Sequence, residues 1–137
     1  MTNVTLAKSY LEKAKVRSKI VEFLIREGAY SDVVREAQEA VELALKGMLR
    51  IIGVEPPKQH DVGYLLVEYK DMLPEDVREK VDELAYISKW LRKEREFSFY
   101  GDIDFIPTLE YTREDAERAY NDLKKIIEAA EKTILIR

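Results

Sequence analysis

Cysteine is absent from this sequence. That excludes a disulfide framework, a thiolate nucleophile and a cysteine-bound metal. Histidine occurs once, at His60. With no second imidazole beside it, neither a metal nor any other cofactor is expected. No apolar run approaches the ~20 residues of a membrane span. The opening residues, MTNVTLAKSYLEKAK, lack the charged-then-apolar layout of a signal peptide. We therefore expect a cytoplasmic protein with no membrane partner. No P-loop, dinucleotide fingerprint or nucleophile elbow occurs. Strand-like alternation, internal repeats and low-complexity segments are also missing. Basic excess is missing too: the net charge is −4 and the pI is near 5.2. That argues against a large nonspecific nucleic-acid surface, though not against a small basic patch. Asn and Gln are scarce beside abundant Glu, Lys and Arg, a balance that suggests a thermophile.

What is present is apolar periodicity. The 137 residues are 46% hydrophobic and 36% charged, enough for one domain with a real core, spanning 1–137. The stretch from Ser31 to Gly53 predicts a helix of about 21 residues, roughly 32 Å long. Ser31 is the expected N-cap and Gly53 the expected residue after its C-terminal end. Val34, Ala37, Val41, Ala44, Leu45, Met48, Leu49 and Ile52 form one apolar stripe, and Val33, Ala40 and Ile51 widen it. A stripe that broad implies the central helix of a bundle. Arg35, Glu39, Glu42 and Lys46 line the remaining face. They read either as a solvated ion-pair ladder or as a polar rail beside a binding site.

The flanking segments follow. Residues 3 to 26 predict a long helix with Ala7, Tyr10, Leu11, Ala14, Val21 and Ile25 on one side. Val16, Ile20 and Phe23 line the other, so this helix is buried twice or meets another molecule. Residues 27 to 30 form a short turn, which implies antiparallel neighbours. Pro56 and Pro57 make a rigid connector. Asp61 or His60 then opens a short helix ending near Asp71. Pro74 starts a helix from about Glu75 to Glu96, with Val77, Val81, Leu84, Ile87 and Leu91 inward. Residues 101 to 111 are a loop. Thr112 to Asp115 resembles a capping box ahead of the last helix. The fold class is all-α: an antiparallel up-and-down bundle of four long helices and one short one.

Chemistry concentrates between Trp90 and Asp102, where Arg92, Lys93 and Arg95 lie among four aromatics at a helix end. Such a set can stack and clamp a nucleotide or single-stranded RNA, and it can equally be core or interface packing. Asp102 and Asp104, with Glu94 or Glu96, could offer oxygen ligands to a hard cation, but acidic loops are common in an acidic protein and no metal is expected. A lone His60 beside a helix start reads as a cap or a packed polar group.

Taken in order, Tyr30-Ser-Asp32, Ala37-x-x-Ala40-x-Glu42-x-x-x-Lys46-x-x-Leu49, Gly53, Pro57-x-x-His60-x-x-x-x-Leu65 and Arg95-x-x-x-x-Tyr100-Gly101-Asp102 resemble the HEPN domain of prokaryotes. The resemblance covers about residues 5 to 135. It implies a helical bundle that forms homodimers and pairs with a minimal nucleotidyltransferase, as a toxin–antitoxin or two-part complex. Active relatives are metal-independent RNases with an Arg-x(4–6)-His motif. Arg95 matches that arginine, Tyr100 stands where the histidine belongs, and His60 does not match it. Tyrosine, with a pKa near 10, is a poor base beside histidine at about 6.5. The expectation is therefore a nucleotide or RNA held near Arg92, Arg95, Tyr100 and Asp102, with Tyr100 a possible target of the nucleotidyltransferase. The alternatives are an RNase using Arg95 and Tyr100, or a purely structural interaction module.

Overall fold

In the computed structural model, which describes residues 2–135, the elements run α1 (Thr2–Arg26), α2 (Tyr30–Ile51), α3 (Gly63–Glu68), α4 (Glu75–Arg78), α5 (Val81–Phe99), α6 (Pro107–Glu110) and α7 (Arg113–Ile134). A 3₁₀ turn, Lys70–Met72, follows α3. Among the described residues no strand forms, and Asp102 and Phe105 make one isolated antiparallel bridge. The four long helices are α1, α2, α5 and α7. α2 packs against the other three, which is the central position its broad apolar stripe demands. Leu45, Met48 and Leu49 are fully buried along it. Burying each such side chain contributes about 1.5–3 kcal/mol.

Both turns that flank α2 close by the same device. Gly53 has φ +86°. Its N–H donates to the Arg50 carbonyl at 3.1 Å, and the Val54 N–H donates to that of Leu49 at 2.9 Å. This Schellman arrangement satisfies carbonyls that the helix end would orphan. At the end of α1, Gly28 and Ala29 donate likewise to Ile25 and Leu24. The turn is so tight that α2 starts at Tyr30, with Ala29 in the cap position and no side-chain cap. Ser31, expected as that cap, is buried inside the helix.

Other boundaries also differ from expectation. The helix anticipated from Glu75 to Glu96 is broken after Arg78 and resumes at Val81. The Arg78 guanidinium folds back to the carbonyls of Lys70, Asp71 and Leu73 and holds that corner. α5 then runs to Phe99, one turn beyond expectation, and stops where Gly101 takes φ +67°. Among the described residues three short helices are present where one was expected, because α4 and the turn of α6 are separate elements. The capping box at Thr112 and Asp115 forms as expected.

Val16, Ile20 and Phe23 on α1 are 50%, 40% and 51% exposed. The second apolar line of α1 is therefore unpacked within one chain, while Ala7, Leu11, Ala14 and Val21 fill the core.

Candidate functional site

One face of α5 carries Ser88, Arg92, Arg95 and Phe99, spaced four, three and four residues apart, so the four side chains stack along one side. The Ser88, Arg95 and Phe99 side chains meet α2 or the connector that follows it. α2 runs antiparallel there and presents Arg35, Gln38, Glu39, Glu42 and Lys46. The Arg35 guanidinium lies over the Phe99 ring, 4.8 Å from its centre, and its Nε is 3.6 Å from Glu39 Oε1. Arg95 Nη2 sits 2.7 Å from the same Glu39 oxygen. Arg95 Nη1 donates to the Gln38 side-chain oxygen. Gln38 Nε2 donates to Glu42 Oε1 at 3.2 Å and reaches the His60 carbonyl at 3.4 Å. Glu42 Oε1 is 2.7 Å from His60 Nδ1, and Glu42 Oε2 is 2.9 Å from Lys46 Nζ. An unbroken polar seam thus runs from Arg35 to Lys46.

The connector is fixed against this seam. Asp61 Oδ1 accepts from the Ser88 hydroxyl at 2.8 Å and from the Gly63 N–H at 3.3 Å. Gly63 lies so close to α5 that a Cβ on it would come within 2.7 Å of Ala85 Cα. Any larger residue would push α3 away and take His60 with it.

Gln38 is 2% exposed, yet every polar atom of its amide is engaged. Burial pushes the Glu42 carboxyl up, but hydrogen bonds from Lys46, His60 and Gln38 outweigh it and hold the group below its ordinary value. Glu42 is thereby kept anionic. The Arg95 side chain is only 12% exposed. Arg92, one turn away on the same face, is half-buried and has neither ion pair nor hydrogen bond among the described residues. Arg35, Lys46, Arg92 and Arg95 outnumber Glu39, Glu42 and Asp61 along the seam, so a chain of net charge −4 is locally basic here.

The expected site residues divide. Arg92 and Arg95 share one face, beside the rail on α2. Tyr100 is 72% exposed at the end of α5, its ring edge-on to Phe99 at 4.9 Å. Its hydroxyl makes no hydrogen bond among the described residues. Asp102 accepts from the Ile103 N–H at 2.6 Å and closes the turn to Phe105. Both therefore sit at the rim beyond the seam. Trp90 turns to the opposite side of α5, where its Nε1 donates to Asp122 at 2.9 Å beneath Arg118. Glu94 goes the same way, accepting from the Tyr111 hydroxyl at 2.8 Å. Burial and that carboxylate push the Tyr111 phenol far up. Among the described residues no three carboxylates or imidazoles gather as a metal site would require.

Sequence reasoning missed Gln38 and the Glu42–His60 pair. Gln38 had a signal, because it interrupts the apolar stripe between Ala37 and Val41. The pair spans 18 positions and left no local pattern.

A family model of the HEPN domain matches residues 7–133. The chain is 26% identical over 133 residues to a Methanocaldococcus jannaschii protein named "Putative toxin MJ1304", covering 92% of this chain and 86% of that one. Its fold is similar to the crystal structure of ST0689, an archaeal HEPN homologue. The TM-score is 0.70 at 22% identity, over 93% of this chain and 97% of the other.

Proposed function

The chain belongs to the HEPN domain family, and we propose that it is a nucleotide- or RNA-binding member of a toxin-like system. It forms one helical domain, works as a homodimer and associates with a minimal nucleotidyltransferase. Arg92 carries this reading. A half-buried guanidinium without a partner among the described residues, one turn from a second and beside the polar rail of α2, suits a phosphate better than packing. Arg95 is then shared. Its present partner Glu39 is an anion that a phosphate would displace. Phe99, half exposed under Arg35, offers a ring on which a base can stack.

Two exposed apolar surfaces support the homodimer. One is the α1 line of Val16, Ile20 and Phe23; the other is the rim of Phe97, Phe99, Tyr100 and Ile103. No helix among the described residues is long and apolar enough to cross a membrane. The free hydroxyl of Tyr100 is also accessible to the partner, whose transfer of a nucleoside monophosphate from a triphosphate would release pyrophosphate. Intact mass of Tyr100→Phe against wild type, after incubation with that enzyme and nucleotide, reads this step directly.

The binding test is a fluorescence titration of labelled single-stranded RNA. Arg92→Ala is expected to weaken binding about tenfold, a loss of about 1.4 kcal/mol, and to flatten the salt dependence. Equal affinity and equal salt slope would remove Arg92 from the site and this reading with it.

A further inference from the structure

We propose that the cleft between α5 and α7, on the side of α5 away from the seam, is a second binding site that takes the arginine side chain of a partner protein. Tyr86, Trp90 and Glu94 stand four residues apart along α5 and share one face. Asp115 and Arg118 of α7, with Tyr111 just ahead of it, line the same cleft, which holds about 200 Å³. Sites for whole small molecules run to ~300–1,000 Å³, so this one is sized for the end of a single side chain rather than for a nucleotide.

The acceptors in the cleft are half used. Glu94 Oε1 accepts from the Tyr111 hydroxyl at 2.8 Å, while Oε2 takes no bond among the described residues. Asp115 Oδ2 accepts from the N–H and the hydroxyl of Thr112, while Oδ1 takes none. All three donors are neutral, so neither carboxylate is in an ion pair among the described residues. Both are half-buried, where a charge attracts more strongly than in open water. Burial and both carboxylates hold the Tyr111 phenol above its ordinary value. The aromatic wall already carries a planar cation. The Arg118 guanidinium lies 4.0 Å from the centre of the Trp90 ring, and its Nη2 reaches the Tyr86 hydroxyl at 3.4 Å. It pairs with no carboxylate among the described residues. Arg118 thus shows that a guanidinium fits against this wall, and it leaves the open carboxylate oxygens to a second one. A guanidinium suits the cleft better than an ammonium, because it stacks on rings and donates from one plane to carboxylates. Lys93 also lines the cleft. It and Arg118 are exposed, free to swing into water as a third cation enters. A phosphate would meet these two cations but also the two half-buried carboxylates, which repel it.

The chain has a single tryptophan, so its emission reports on this cleft. The probe is acetyl-Gly-Arg-Gly-amide, titrated into the full chain. Trp90 emission should change saturably. The lysine peptide should bind about threefold more weakly, the scale of a lost stacking contact, and the citrulline peptide, uncharged but of the same shape, should give no saturable change. Glu94→Gln can still accept from Tyr111 and should weaken the arginine peptide about tenfold, the scale of one lost charge-assisted hydrogen bond. Arg118→Ala removes a like charge and should tighten it about threefold. The three wild-type titrations stand whether or not a variant folds. Unmoved emission, an equal response to the lysine or citrulline peptide, an unchanged affinity in Glu94→Gln or a weaker one in Arg118→Ala would each overturn the proposal. So would adenosine monophosphate moving the emission where the arginine peptide does not, which would make the cleft a base-stacking site. The RNA reading is separate: Arg92→Ala should leave peptide binding unaltered, and failure of the peptide to bind leaves Arg92 untouched.

Discussion

The two flanks of α2 share one backbone and differ in every other respect. The apolar flank, with Val41, Leu45, Met48 and Leu49, is dry and held by contacts that have no preferred direction. The polar flank, with Gln38, Glu39, Glu42 and Lys46, is held by hydrogen bonds, each of which needs one partner at one distance. The first flank accepts substitutions that keep volume. The second accepts few, because removing one partner strands the next. Packing stability is therefore concentrated on one side of the helix, and directional polar contacts on the other.

Substitutions on each flank can break this contrast. Leu45→Ala should have the largest effect, about 2–5 kcal/mol lost in urea unfolding. RNA affinity of the folded fraction should be unchanged; a parallel loss of affinity would show the flanks to be coupled. Gln38→Leu keeps the volume but leaves Arg95 and Glu42 each a partner short. It should cost about 1–3 kcal/mol and also weaken RNA binding, so an unaffected affinity would separate Gln38 from the site.

Acid titration sharpens the same point. The Glu42 carboxyl lies below its ordinary value of 4.5 in the folded chain. Its contribution is thus fully present above about 4.5, fades as pH falls below that, and is lost once pH drops through the folded value. Glu42→Gln should be less stable than wild type at neutral pH, with the gap closing in acid; a constant gap would deny the linkage. The smallest stability effect belongs to the exposed line on α1. Phe23→Ser should change stability by less than about 0.5 kcal/mol while weakening self-association in sedimentation, if that line is the dimer contact.

How much of this was written in the sequence depends on the kind of force. The long helices were legible because apolar periodicity records which face is buried, as at Ala7, Leu11 and Ala14 or at Leu123, Ile126 and Ile127. The break between α4 and α5 was not, since neither Pro nor Gly marks Glu79 and Lys80; Arg78 enforces it through carbonyls distant along the chain. At the site, the positions of Arg92 and Arg95 on one face follow from helical spacing alone. Their partners do not. Arg95 finds Gln38 across 57 positions, and charge patterns in a sequence carry no record of such distant pairing. The one local clue was an amide inside an apolar stripe.

The proposed competition is between Glu39 and a phosphate for Arg95. Its most direct test is the RNA affinity of Glu39→Gln, measured at low salt against wild type. Removing the competing carboxylate should tighten binding several-fold, and adding Arg95→Ala should abolish the gain. Affinity that is unchanged or weaker in Glu39→Gln would mean that the Arg95–Glu39 pair is structural and that no phosphate takes the carboxylate's place.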